Sequence, residues 1–407
     1  MAVNLKAPDP ASLNPVSGVE LGFAEAGIRK QNRRDLMLMR FSPGTRVAGV
    51  FTQNSFAAAP VQVCRKRLAA RNDFRAVIVN AGNANCGTGE AGLEAAQRTC
   101  TAVAQALGCS ADEVLPFSTG VILEHLPVDR IEAALPRCAA SLGPTHWAEA
   151  AAAIMTTDTL PKAVSRSLRI DDKDITITGI AKGVGMLQPN MATMLTYIAT
   201  DAAVTPEALQ QMVREVADAS FNRVTVDGDT STNDSFLLIA TGRAGNADID
   251  RGATYAALKS AVTEVAVQLA QAIARDGEGA TKFITIQING ASSVEEAARV
   301  GKTIAHSPLV KTAFFASDPN LGRLIAAIGN AGVRDLDTSK VDLFLGDVQV
   351  IDHGGRAASY REEDGIRVMK PEEIVVRVEL NRGTASTIIW TCDFSYDYVK
   401  INAEYRT

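Results

Sequence analysis

Three stretches of the chain combine residue types that could do chemistry. The first is Gly179-Ile-Ala-Lys182-Gly-Val-Gly185-Met-Leu-Gln-Pro189-Asn190-Met191-Ala192-Thr193-Met194-Leu195. Glycines and a proline lie between two apolar runs that read as strands. The stretch is too long for a hairpin turn and too ordered in composition for a linker. It reads either as a structural crossover or as a functional loop. The second, Asp227-Gly-Asp229-Thr-Ser231-Thr-Asn233-Asp234, resembles the opening of a calcium loop. Thr232 stands where such a loop needs glycine, and Leu238 where it needs the bidentate glutamate. A polar turn before a buried strand is the competing reading. The third, Gly87-Thr-Gly89-Glu-Ala-Gly92, matches the G-x-G-x-x-G fingerprint of dinucleotide sites. Six residues separate the end of the preceding strand at Asn80 from Gly87, and the next strand, Val114–Phe117, ends without an acid to hold a ribose. Gly87–Gly92 therefore reads as a small-residue helix start that lets elements pack closely.

Composition excludes other classes. The chain has 407 residues, 46% of them hydrophobic and 21% charged, with a formal net charge of −5. That is ordinary globular composition without the basic excess of a nucleic-acid binder. The length fits two or more domains or one large intertwined α/β body. The four histidines, His125, His146, His306 and His353, fall at no metal-ligand spacing. The six cysteines form no C-x-x-C pair, so reduced thiols and a cytoplasmic setting are expected. The first residues lack a basic stretch followed by an apolar run, so no secretory signal is expected. No run of about 18 apolar residues predicts a membrane span.

The elements that must position these stretches alternate along the chain. Strands are expected at Val47–Phe51, Pro60–Val63, Ala76–Asn80, Val114–Phe117, within residues 162–181, and at Met194–Ala199. A helix is expected from Gly87 to Leu107, stopped by Gly108, and another near His146–Ile154. Pro206 opens a helix to about Ser220, and Phe236–Ala240 is a strand. Leu258, Val262, Val265, Leu269 and Ile273 mark one face of a helix over Ala253–Arg275. Isoleucines alternate over Lys282–Ile288, as in a half-buried strand. Ser110-x-x-Glu113 and Ser293-x-x-Glu296 resemble capping boxes. Gly346-Asp347 signals a hairpin within Leu343–Ile351, and Ile374–Leu380 and Thr387–Thr391 are late strands. The class is α/β or α+β.

The run Lys182-Gly-x-Gly185-Met-x-x-Pro189-Asn-Met-Ala192-Thr193-Met-Leu resembles the signature of the ornithine acetyltransferase family, also called bifunctional glutamate N-acetyltransferase. Asn83-Ala-Asn85, Thr119-Gly120, Met155-Thr-Thr-Asp158, Asp227–Asp234, Asp276-Gly-Glu278-Gly-Ala-Thr-Lys282, Asp318-Pro-Asn-Leu-Gly-Arg323 and Ile401–Thr407 resemble further family segments, in the family's order. The resemblance covers nearly the whole chain. It implies a self-cleaving threonine-nucleophile fold of mixed sheets flanked by helices. Cleavage between Ala192 and Thr193 would give an alpha chain, 1–192, and a beta chain, 193–407, assembled as a heterotetramer of two alpha and two beta chains. It further implies Thr193 as nucleophile, Thr119 and Gly120 as oxyanion hole, and substrate contacts from Thr156, Lys182, Thr193, Glu278, Asn402 and Thr407. The implied reaction belongs to arginine biosynthesis. N-acetylornithine donates an acetyl group to glutamate, some members also accept acetyl-CoA, and no metal or redox cofactor is needed.

The residues make chemical sense in those roles. A chain-internal threonine hydroxyl is a poor nucleophile. Scission before Thr193 would create an α-amino group with a pKa near ~8 beside its own hydroxyl, suited to act as general base. Glycine after Thr119 lets a backbone N–H face a ligand. Lys182 offers a positive charge to a carboxylate, and Glu278 could bind an ammonium or handle a proton; read singly, both are ordinary solvated charges. Asn80–Cys86 departs from the serine-containing form of many relatives, and Cys86 reads as a small buried residue. Two rival activities remain at this level: a dinucleotide-dependent oxidoreductase, and a threonine-nucleophile hydrolase with water as acceptor. A protein that only binds and is never cut is the third alternative.

Overall fold

The computed structural model describes residues 2–188 and 194–404. Ala192, Thr193 and Thr407 lie outside the described residues. Within them, the strands in chain order are β1 (Val19–Ala24), β2 (Leu36–Phe41), β3 (Arg46–Phe51), β4 (Ala76–Asn83), β5 (Val114–Val121), β6 (Lys162–Ile170), β7 (Lys173–Lys182), β8 (Leu195–Thr200), β9 (Ser235–Ala240), β10 (Phe283–Ala291), β11 (Asp342–Leu345), β12 (Val348–Asp352), β13 (Gly355–Arg356), β14 (Glu373–Glu379) and β15 (Ala385–Cys392). They form three sheets: β1-β2-β4-β5, β3-β9-β8-β7-β6 and β13-β12-β11-β14-β10-β15.

The first two sheets stack face to face between helical layers, and strand alternation shows why. In β2, Met37 and Met39 join the core between the sheets, while Leu36 and Leu38 join the core under the helices Gly89–Leu107 and Val128–Ala140. In β9, Leu237 and Ile239 enter that same inter-sheet core, while Phe236 and Leu238 pack under the helices Pro206–Ala219 and Gly252–Arg275. Each strand thus buries both faces, giving a helix–sheet–sheet–helix body. The third sheet packs one face against the helices Val294–His306 and Leu321–Gly329 around Ile284, Ile286 and Ile288. The α/β expectation, with mixed sheets flanked by helices, is met.

The five-stranded sheet draws from both sides of the expected scission point. Lys182 on β7 pairs with Leu195 on β8, and Arg46–Phe51 pairs along the whole of β9. Two fragments meeting at residue 192 would remain laced through these ladders.

Several local expectations hold. Ser110 and Glu113 form a complete capping box, and Pro206 occupies the first turn of its helix. Gly346-Asp347 closes the β11–β12 hairpin. The 162–181 stretch is itself a hairpin. Asp171 and Asp172, at φ +46° and +62°, form the two-residue turn between β6 and β7. One expectation fails: Pro60–Val63 is not a strand but the start of the helix Ala59–Ala70. Proline in a first turn forfeits no hydrogen bond, and Val61, Cys64 and Arg67 are buried at helical spacing. The two late strands are present as β14 and β15, and both flank β10, one parallel and one antiparallel.

Candidate active site

Lys182 ends β7 with its side chain buried, and its ammonium donates to Thr156 Oγ1 at 3.0 Å and Thr119 Oγ1 at 3.2 Å. An ammonium has only donors, so both hydroxyl oxygens must accept from it. Each threonine then keeps its own O–H to donate elsewhere. One lysine thereby orients two hydroxyl protons. Burial pushes the Lys182 ammonium below the ordinary lysine range, against the opposing pull of Asp158, whose Oδ2 lies 4.0 Å away.

Thr119 and Gly120 sit at the end of β5, beside the end of β4, where the ladder slips at Gly82 and Asn83. Gly120 has φ +135°, and a Cβ there would lie 2.2 Å from the carbonyl carbon of Gly82. Only glycine fits this position. A network of asparagines holds the bend. Asn80 donates to Asn83 O at 2.9 Å and accepts from Ser118 Oγ at 2.6 Å. Asn83 accepts from Asn85 N at 2.7 Å, and Asn233 donates to Ala84 O and Ser118 O at 2.7 and 2.8 Å. The segment that departs from the serine-containing form is thus a polar brace beside Thr119. Cys86 is buried with 2% exposure, as a small packed residue would be.

Glu278 faces Lys182 across the site. Its carboxylate accepts from Thr157 Oγ1 at 2.8 Å and from Asn402 Nδ2 at 2.9 Å. A Cβ on Gly185 would stand 2.5 Å from Glu278 Oε2, so the second glycine of the Lys-Gly-x-Gly run leaves room for this carboxylate. Asn402 belongs to the helix Tyr396–Ala403, which Ser395 pins by donating to Gly279 O at 2.6 Å. Thr119, Gly120, Thr156, Lys182, Glu278 and Asn402 all line one cavity of about 240 Å³. The sequence reading named these six together with Ala192, Thr193 and Thr407. β8 begins opposite Lys182, two residues beyond Thr193, and Ser235 N donates to Met194 O at 2.8 Å.

Beneath the cavity lies a group of residues with no role assigned from sequence. Lys162 is fully buried between Asp158 at 2.8 Å and Asp276 at 2.7 Å. Asp158 also accepts from Gly183 N at 2.9 Å and Thr156 N at 3.0 Å, so it ties down both residues that frame Lys182. Asp276 accepts from Thr159 N at 3.0 Å. Burial alone would raise the Asp158 carboxyl; Lys162 and Lys182 outweigh it and hold the group well below the usual carboxylate range. Burial likewise opposes the Lys162 charge, and the two aspartates overcome it and raise its pKa. The spacing of Asp158 and Lys162 was visible in the sequence, but nothing local pointed to Asp276, 114 residues from Lys162.

The other two chemically suggestive stretches have structural work. Asp227 caps the loop after β7, accepting from Met186 N at 2.6 Å and Leu187 N at 2.7 Å. Asn233, in the same stretch, braces β5. Gly92 lets the helix Gly89–Leu107 pack against Asn85 and Ala59, the close packing expected of a small-residue helix start. Among the described residues, no helix is long and apolar enough to cross a membrane, and all six cysteines are unpaired.

A family model described as the ArgJ family matches residues 20–407. Among solved structures, the arginine biosynthesis bifunctional protein argJ from Bacillus halodurans is 36% identical, with a TM-score of 0.49, over 51% of this chain and 97% of that one. Ornithine acetyltransferase from Mycobacterium tuberculosis, complexed with ornithine, is 36% identical, with a TM-score of 0.42, over 47% of this chain and 99% of that one. On the family match, which spans nearly its full length, this chain belongs to the ArgJ family, acetyltransferases of arginine biosynthesis.

Proposed function

We propose that the protein transfers an acetyl group from N2-acetyl-L-ornithine to L-glutamate through an O-acetyl ester on Thr193, after scission of the Ala192–Thr193 bond. The observation that carries this reading is the pair of hydroxyls, Thr119 and Thr156, that Lys182 orients at the rim of the cavity beside β8. In the first half-reaction the Thr193 oxygen attacks the acetyl carbonyl. The new α-amino group takes the hydroxyl proton and returns it to the departing ornithine nitrogen. Negative charge on the carbonyl oxygen is met by Thr119 and the backbone at Gly120. Glutamate then attacks the ester and leaves as N-acetylglutamate, restoring the threonine. Lys182 has one N–H beyond its two threonine contacts for the α-carboxylate of either substrate. Glu278, held by Thr157 and Asn402, suits the ammonium of ornithine.

Acetyl-CoA would feed the same acyl-enzyme as an alternative donor. The chemistry asks for no metal or redox cofactor, because nucleophile, base and oxyanion donors are all protein groups. The fragments 1–192 and 193–407 would act as one unit, assembled two and two, in the cytoplasm. The test is transfer of labelled acetyl from N-acetylornithine to glutamate by the wild type and by Thr193→Ala. The variant is expected to stay uncut and to transfer nothing. An uncut variant with wild-type transfer refutes the proposal, and so does a wild type that releases mainly acetate.

A further inference from the structure

A second cavity, of about 210 Å³, adjoins the first and shares Gly120, Val121, Thr156 and Thr157 with it. The two have opposite chemistry at their far ends. The first is closed by Glu278. The second is lined by Arg29, Lys30 and Arg33, all from the loop between β1 and β2. Arg33 donates to the main-chain carbonyls of Thr156, at 3.1 Å, and Met155. Those bonds go to neutral carbonyls and fix the guanidinium on the cavity wall, where it also acts through space on Asp35. Arg29 pairs with the half-exposed Glu124 at 2.7 Å. Among the described residues, no carboxylate lies within 4.0 Å of a Lys30 or Arg33 nitrogen. Two acids also line the cavity. Asp35 accepts from Ala26 N and Ile28 N at 2.7 and 2.6 Å, and burial raises its pKa; Glu404 follows the last helix at the opposite side.

This arrangement answers a difficulty in the proposed reaction, on which the inference rests. Donor and acceptor present the same amino nitrogen to the same acyl carbon, yet one carries a side-chain ammonium and the other a side-chain carboxylate. A carboxylate placed against Glu278 would be repelled. We propose that the site is a fork sorted by charge: the second cavity receives the side-chain carboxylate of the acidic acceptor, and the first receives the ammonium of the donor at Glu278. Both branches open on Gly120 and Thr156, so either side chain can be seated while the reacting nitrogen stays at the shared wall.

The test separates the half-reactions in the full-length protein. Lys30→Glu and the double variant Arg29→Ala/Lys30→Ala are compared with wild type for kcat/KM with glutamate and with glutamine as acceptor, at saturating N-acetylornithine. The first-turnover release of ornithine is measured without acceptor. The fork predicts at least a tenfold fall in the glutamate-to-glutamine ratio for Lys30→Glu, with ornithine release within twofold of wild type. Lys30→Arg is expected to keep the wild-type ratio. An unchanged ratio overturns the assignment. So does an equal loss in both half-reactions, or an effect confined to the KM for acetyl-CoA, which would make the cavity a phosphate site. A wild type that releases no ornithine from N-acetylornithine sinks the acetyl-transfer reading and the fork with it.

Discussion

Two buried lysines share Asp158 and do opposite things. Lys162 has a carboxylate on each side, at 2.8 and 2.7 Å, and its pKa is raised. Lys182 has two neutral hydroxyls, with Asp158 only at 4.0 Å, and its pKa is lowered. Lys162 pairs opposite Ala181, the residue before Lys182, so the two lie side by side on adjacent strands. The fold neutralises the first charge completely and leaves the second under-neutralised at a cavity. A buried cation with two carboxylates is a brace. A buried cation with spare hydrogen-bonding capacity and an open face is poised for an anion.

Breaking the brace should produce the largest effect. Lys162→Met leaves Asp158 and Asp276 buried without their cation, and should lower stability by about 3–5 kcal/mol. Denaturant midpoints measure this, and a midpoint equal to wild type would strip Lys162 of that role. The stabilisation from Lys162 is present below the unfolded lysine pKa of about 10.4 and is lost as pH rises through its higher folded value. Lys182→Met should leave the midpoint nearly unchanged and lower kcat/KM on the order of 10²–10³-fold, the usual loss when an oxyanion-side donor is removed. Equal loss of stability in the two variants would erase the contrast.

The shared aspartate supplies a pH test. Lys182 must be charged to orient the hydroxyls, so kcat/KM should fall on the alkaline side with a pKa below the ordinary lysine value. Asp158 raises the Lys182 pKa, so Asp158→Asn should move that alkaline limb to lower pH. A limb that stays put, or moves upward, assigns it to another group. The smallest effect is expected from Thr157→Val, which removes one hydrogen bond to Glu278. Its cost is about 1 kcal/mol, or roughly fivefold in kcat/KM with N-acetylornithine.

What the sequence revealed follows from the range of the forces involved. Helical spacing of apolar residues located Gly252–Arg275, a first-turn proline located Pro206–Ala219, and short apolar runs located the buried strands β4, β8 and β9. The run around Lys182 announced itself through its glycines, and Gly185 now has a stated reason in the carboxylate of Glu278. Pro60 misled because valines alternating around Gln62 after a proline satisfy both a strand and a first helical turn; tertiary burial of Val61 and Cys64 decided it. The brace stayed hidden because Asp276 lies 114 residues from Lys162 and each member is an ordinary charge when read alone. The last helix brings Asn402 to Glu278 through Ser395 and Gly279, a contact between segments 116 residues apart. Arg29, Lys30 and Arg33 are ordinary charges when read alone, and only their position against Gly120 gives them a cavity to serve.

Intact mass spectrometry of the purified protein, before and after incubation with N-acetylornithine without glutamate, reads scission and acylation of Thr193 together. Two fragments are expected, 1–192 and 193–407, with the second gaining one acetyl group that glutamate then removes. A single uncut chain that still transfers acetyl, or an acetyl group carried on the first fragment, would contradict it.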